Sequence, residues 1–364
     1  MAERVYNFSP GPAVLPVPAL EQAQRDLVAL PGVGMSVMEI SHRSKAFDAI
    51  MAETRQLLTE LVGIPAGYTT LFLQGGASLQ FAMVPMNFLR GTDKPADYVL
   101  TGTWGNKGKE EAEKQGKVNV AWDGKSHNYS YLPAASELKL SQSAAYTHVT
   151  SNETIQGVQF PGDPKFGPAP LVCDASSDFM CRPLDIRKYD MLYACAQKNA
   201  GIAGVTVVIL KDEMLERGAS GLPAMLDYKL IAKNDSLYNT PPVFAIYMLM
   251  LVSRWLKNDI GGLENMHKRN RDKAKLLYDV LDNSGGFYQG HARADCRSLM
   301  NVTFRLPNEE LETKFVAEAK THKLMDLKGH RSVGGIRASI YNAMPVEGVK
   351  TLAEFMTDFR QKNG

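Results

Sequence analysis

Lys198 stands in Ala196-Gln197-Lys198-Asn199-Ala200-Gly201, directly after the apolar run 191–195 and before a glycine. A primary amine at a strand's end, with a permissive loop behind it, can be desolvated and made a nucleophile towards a carbonyl. The plain alternative is a surface lysine in a turn. Asp174 closes the apolar run 171–173, 24 residues earlier. A carboxylate near such an amine is what a pyridine ring needs to keep its nitrogen protonated and accept electrons; an N-capping aspartate is the alternative. Gln74-Gly75-Gly76-Ala77-Ser78 follows the run 70–73 and opens an amphipathic helix. Its free N–H groups suit a phosphate, although the spacing matches neither common nucleotide loop. Trp104, in Gly102-Thr103-Trp104-Gly105, follows the run 98–100 and can stack on a heteroaromatic ring or simply pack in the core. His42-Arg43, His330-Arg331 and Arg337 offer forked and switchable donors to phosphate or carboxylate, or form surface ion pairs. Arg337 falls on the polar face of a strand expected at 336–340.

These residues need a scaffold that brings strand ends together. Short apolar runs at 70–73, 98–100, 171–173, 191–195 and 205–210 alternate with helical segments such as 46–62. That alternation predicts an α/β domain with a mostly parallel sheet, whose ligands collect at the carboxyl edge of the strands. Gly261-Gly262 marks a break. Beyond it, a helix over 263–283, an alternating strand around 300–306, a helix over 309–323, the strand 336–340 and a last helix from Pro345 predict a smaller α+β domain. The cluster His267-Lys268-Arg269-Asn270-Arg271, beside Glu264 and Asp272, reads as a solvated helix face.

The chain has 364 residues, enough for two domains and a core that needs no staple. An apolar fraction of 45%, a charged fraction of 22% and a net charge of +2 exclude a disordered or fibrous chain and give no reason to expect nucleic acid. The longest apolar run, 243–252, is too short to span a bilayer, so no membrane partner is expected. Met1-Ala2-Glu3-Arg4 carries no secretory h-region. Cys173, Cys181, Cys195 and Cys296 form no C-x-x-C pair and have no histidine at zinc spacing, which predicts a reduced, cytoplasmic protein without metal.

Taken in order, the motifs resemble the phosphoserine aminotransferases, a class-V branch of the fold-type-I pyridoxal-phosphate transferases. They are Asn7-Phe8-Ser9-Pro10-Gly11-Pro12, Ser41-His42-Arg43-Ser44, Leu73-Gln74-Gly75-Gly76-Ala77 and Asn152-Glu153-Thr154-Ile155. Asp174-Ala175-Ser176-Ser177, Ala196-Gln197-Lys198-Asn199, Tyr238-Asn239-Thr240-Pro241-Pro242 and Gly334-Gly335-Ile336-Arg337-Ala338-Ser339 complete the set. The resemblance implies an N-terminal segment 1–15 associated with the small domain, a large cofactor domain 16–262 and a small domain 263–364. It implies pyridoxal 5'-phosphate attached at Lys198, with Asp174 on the pyridine nitrogen and Trp104 stacked. Ala77, Ser78, Thr154 and Gln197 are further cofactor contacts, and Asn239 and Thr240 reach the cofactor phosphate of the neighbouring subunit of a homodimer. Arg337 is implied for the substrate α-carboxylate, Ser9 and Arg43 for glutamate, and His42, His330 and Arg331 for the distal phosphate or carboxylate. The implied reaction exchanges an amino group between L-glutamate and 3-phosphohydroxypyruvate in serine biosynthesis; a phosphorylated hydroxythreonine step of pyridoxine biosynthesis stays open. Two rivals share the fold. A cysteine desulfurase is disfavoured because Gln197, not histidine, precedes Lys198, and Cys296 has no supporting motif. A catalytically dead binding protein would have lost Lys198.

Overall fold

A computed structural model describes residues 4–364, so Met1-Ala2-Glu3 of the N-terminal reading lies outside the described residues. The larger unit is built on a seven-stranded sheet. Its spatial order is Tyr68–Leu73, Thr206–Lys211, Met191–Cys195, Leu171–Asp174, Thr147–Thr150, Ala96–Leu100 and Val118–Asp123. Thr206–Lys211 runs antiparallel to both of its neighbours, and every other pair is parallel. The central strands Thr147–Thr150, Leu171–Asp174 and Met191–Cys195 are buried throughout because helices cover both faces. Lys45–Val62 and Val243–Asn258 pack one face around Phe47, Leu58, Ile246 and Leu249; Phe81, Met83, Val84 and Phe88 pack the other. Ser44 starts the first of these helices by accepting the N–H of Phe47, and Gly63 stops it with a left-handed φ of 72°. The apolar run 243–252 is accounted for by burial: Val243–Asn258 is enclosed nearly all round. Among the described residues no helix is long and apolar enough to cross a membrane.

Gly76–Phe88 is not amphipathic as expected. Gln80, Phe81, Met83, Val84, Pro85, Asn87 and Phe88 are all buried, because the helix lies between the sheet and Thr103–Glu113.

Beyond Gly262, Gln289–Gly290, Asn301–Arg305 and Ile336–Ser339 form an antiparallel sheet, packed by Leu263–Asp282, Glu309–Thr321 and Val346–Asn363. Tyr6–Asn7 adds a parallel pairing to Leu324–Met325, and Phe8 is buried in the same apolar cluster. Two expectations are modified here. Arg337 and Ser339 do share the polar face of Ile336–Ser339, but that face is buried with the rest of the strand. The helix segment 267–271 is not wholly solvated, since Asn270 is fully buried and donates to Cys181 O and Asn342 Oδ1. The partners of Asn270 come from far along the chain.

Candidate active site

The carboxyl ends of three parallel strands meet in register, with Thr150 beside Asp174 and Asp174 beside Tyr193. The turn after Met191–Cys195 then presents Lys198. It is tied down from the N-terminal segment, where the Ala13 N–H donates to Gln197 O at 2.9 Å. Lys198 Nζ donates to Thr154 Oγ1 at 2.6 Å. Asp174 accepts the Ser176 N–H at 2.9 Å. Burial pushes its carboxyl above the usual range, against the hydrogen bonds from Ser176 and the attraction of Lys198.

Trp104 sits in the first turn of Thr103–Glu113, with Lys198 Nζ 5.7 Å and Lys107 Nζ 4.6 Å from its ring centre. Its Nε1 is buried without a partner. Gly75 and Gly76 turn the chain from Tyr68–Leu73 into Gly76–Phe88 with φ of 83° and 65°. A Cβ at Gly75 would lie 2.6 Å from Leu79, so only glycine fits this left-handed corner. Ala77, Ser78, Trp104, Thr154, Asp174, Gln197 and Lys198 thereby line one cavity of about 170 Å3.

A second, smaller pocket brings Arg337 together with His330 and His291. Arg337 is 7% exposed, its Nε is buried without a partner, and burial lowers its pKa. A buried guanidinium with no acidic partner among the described residues calls for an external anion. Burial, then Arg337 and Arg331, lower the His330 pKa. Tyr341 is within electrostatic reach of both Lys198 and Arg337.

Other expected residues are not gathered by this single chain. Ser9 Oγ donates to Asp326 at 2.6 Å. His42 lies half-buried and Arg43 exposed before Lys45–Val62, and Arg331 is exposed; none lines either cavity. Asn239 and Thr240 are exposed; Asn239 lines a separate cavity beside Gln74, whose side chain donates to Thr240 O at 3.2 Å. Cys296 is buried, and that burial pushes its thiol up to about 11, which leaves little thiolate for desulfurase chemistry.

Sequence reasoning gave no role to Glu153 or His291. Glu153 is fully buried and accepts the N–H groups of Trp104 and Gly105, both at 3.0 Å, so it caps the helix that carries Trp104. Burial pushes its carboxyl up to about 7. The only available signal was its place beside Thr154 in a quoted motif.

Residues 5–352 match the family model for aminotransferase class-V. The chain belongs to the class-V aminotransferases. Within the family it falls in the phosphoserine aminotransferase branch and is a pyridoxal-phosphate-dependent transaminase. It is 55% identical to a phosphoserine aminotransferase of Rhodopirellula baltica over 362 residues, covering 99% of this chain and 96% of that one. A solved phosphoserine aminotransferase of Bacillus circulans subsp. alkalophilus superposes over 100% of both chains with a TM-score of 0.97 at 49% identity. A pyridoxal-phosphate-bound phosphoserine aminotransferase of Trichomonas vaginalis gives 0.92 at 40% identity, over 97% of this chain and 100% of that one. The transaminase's own cavity suits the cofactor on structural grounds. It offers an amine on Lys198, a buried carboxylate at Asp174, an aromatic face at Trp104 and a helix N-terminus at Gly76–Phe88.

Proposed function

We propose that this transaminase moves the amino group of L-glutamate to 3-phosphohydroxypyruvate, giving O-phospho-L-serine and 2-oxoglutarate. The observation that carries the substrate class is Arg337, a buried guanidinium without an acidic partner among the described residues, which like Lys198 lies within electrostatic reach of Tyr341. It anchors the α-carboxylate common to all four compounds through paired N–H donors. His330 beside it, with Arg331, His42, Arg43 and Ser9, supplies the cationic and polar groups for the second anion of each substrate. Bound pyridoxal phosphate supplies a carbonyl for attachment and a ring that accepts electrons. Ala77, Ser78 and the helix N-terminus would hold its phosphate, Trp104 would offer its face to the ring, Thr154 and Gln197 would add polar contacts, and Asp174 would hold a proton on the ring nitrogen. Lys198 Nζ would take the Cα proton of the amino donor and give one to Cα of the acceptor, a general acid–base contribution of about 10²–10⁴ in rate.

The reading includes a homodimer with shared sites. The exposed Asn239 and Thr240, set away from their own chain's cavity, support it: they reach the neighbour's cofactor phosphate. It also includes the division into 16–262 and 263–364, with 1–15 on the small domain, which the pairing of Tyr6–Asn7 with Leu324–Met325 supports. Four buried free cysteines suit the reducing cytoplasm.

The test is borohydride reduction of the yellow holoenzyme followed by peptide mapping. The cofactor should be fixed on the peptide containing Lys198, and Lys198→Ala should be folded yet lack turnover. Labelling elsewhere, or more than a few per cent of activity in that variant, would dismantle the assignment.

A further inference from the structure

Helix Leu263–Asp282 buries a second lysine that the reaction does not use. Lys273 is 1% exposed. Its Nζ lies 2.9 Å from Ile340 O, 2.7 Å from Tyr341 O, 3.4 Å from Asn342 O and 3.3 Å from Met344 O. Three N–H bonds are thus shared among four carbonyls, and among the described residues no carboxylate pairs with the ammonium. Burial, with Arg269 in support, brings the group down to about 7. Backbone carbonyls converging on one positive charge are how proteins replace the hydration shell of an alkali cation. The stem of Lys273 delivers such a charge without a metal.

The turn gathered in this way touches the site at three places. It begins immediately after Ile336–Ser339, the strand of Arg337. Its Asn342 N–H donates to Asn199 Oδ1 at 3.0 Å, one residue from Lys198. The Tyr341 hydroxyl donates to Pro10 O at 2.7 Å on the N-terminal segment. Lys273 itself lines neither cavity.

We propose that Lys273 is a positioning residue: its ammonium is an internal cation that gathers the turn 340–344 and thereby sets Arg337 and the Lys198 loop for substrate. The proposal rests on the reading of Arg337 as the carboxylate anchor. A stem that merely fills space would make the charge dispensable, so the experiment, run below pH 7 where the group is charged, separates charge from volume. Lys273→Met keeps most of the volume without the charge. Lys273→Ala leaves room for n-propylammonium, which supplies the missing three carbons and nitrogen, or for propan-1-ol, its neutral counterpart. Wild-type enzyme with the same additives corrects for any direct reaction of the amine with the cofactor.

Losing charge-assisted bonds should raise the KM for glutamate by about ten- to hundredfold in Lys273→Met. In Lys273→Ala, n-propylammonium should restore most of that loss saturably and raise the Tm of the cofactor-free protein, while propan-1-ol does neither. Wild-type kinetics in Lys273→Met, equal rescue by the alcohol, or no rescue of a folded Lys273→Ala would overturn the proposal. If neither variant folds even with the amine, Lys273 serves the fold alone and the proposal is equally overturned. Arg337→Lys tests the underlying reading separately: harmless there, it removes the substrate assignment, whereas amine-dependent Tm still reports on Lys273.

Discussion

Glu153 gives the most constrained prediction, because it couples the helix of Trp104 to pH. Its two carboxylate oxygens take the N–H groups of Trp104 and Gly105 at 3.0 Å each, and Gly102 leaves the room: a Cβ there would lie 2.5 Å from the Glu153 carboxyl carbon. Glu153→Gln replaces one oxygen with an amide NH2, so one buried helix N–H faces a donor. The cost is about 1–3 kcal/mol. The wild-type carboxyl is moved from its ordinary 4.5 up to about 7. The folded chain therefore holds the proton more tightly than the unfolded one. The associated stability is complete below about pH 4.5 and is lost as pH rises through about 7. Between pH 5 and pH 8 this amounts to about 2–3 kcal/mol, and glutamine, which does not titrate, lacks it. Urea unfolding of both cofactor-free proteins at pH 5, 6, 7 and 8 reads the difference. The gap between wild type and variant should be widest at pH 5 and close, or reverse, by pH 8. A gap independent of pH would refute the reasoning.

Three further outcomes are expected. Arg337→Lys should raise KM for both substrates, at about 1.5–3 kcal/mol per lost charge-assisted bond, because a point charge cannot replace a forked clamp; unchanged KM values would remove Arg337 from substrate binding. Arg43→Ala and His330→Ala should weaken the phosphorylated substrate more than glutamate in steady-state kinetics, and an equal effect on both would deny them the distal anion. Lys198→Ala and Thr240→Asp subunits, each nearly inactive alone, should regain about a quarter of normal activity on mixing, since about half the dimers are mixed and each has one intact site. No recovery after proven subunit exchange would mean that each site is built from one chain.

The elements and the reactive residues differ in how far they were legible. Lys198, Asp174 and Trp104 follow short apolar runs, and the sheet places all three near its carboxyl edge; punctuation after a buried strand is a local signal. The burial of Arg337, Glu153 and Lys273 was not legible, because a charged side chain is buried only when distant groups answer it. For Glu153 they are backbone N–H groups some 50 residues upstream, and for Lys273 they are carbonyls about 70 residues downstream. Period-two alternation put Arg337 on a polar face that the sequence could not know to be covered. The same blindness made Gly76–Phe88 look amphipathic. Ser9, Asn239 and Thr240 were legible only through resemblance, His42 and Arg43 only as general anion donors, and a single chain leaves all five outside the cavity.

The measurement closest to the central claim is kcat/KM of the purified holoenzyme with L-glutamate and either 3-phosphohydroxypyruvate or pyruvate, with product identified by mass. The account predicts O-phospho-L-serine and a preference for the phosphorylated acceptor of about a hundredfold or more, from at least two charge-assisted bonds to the phosphate. Equal turnover of the two acceptors, or no phosphoserine at all, would contradict it.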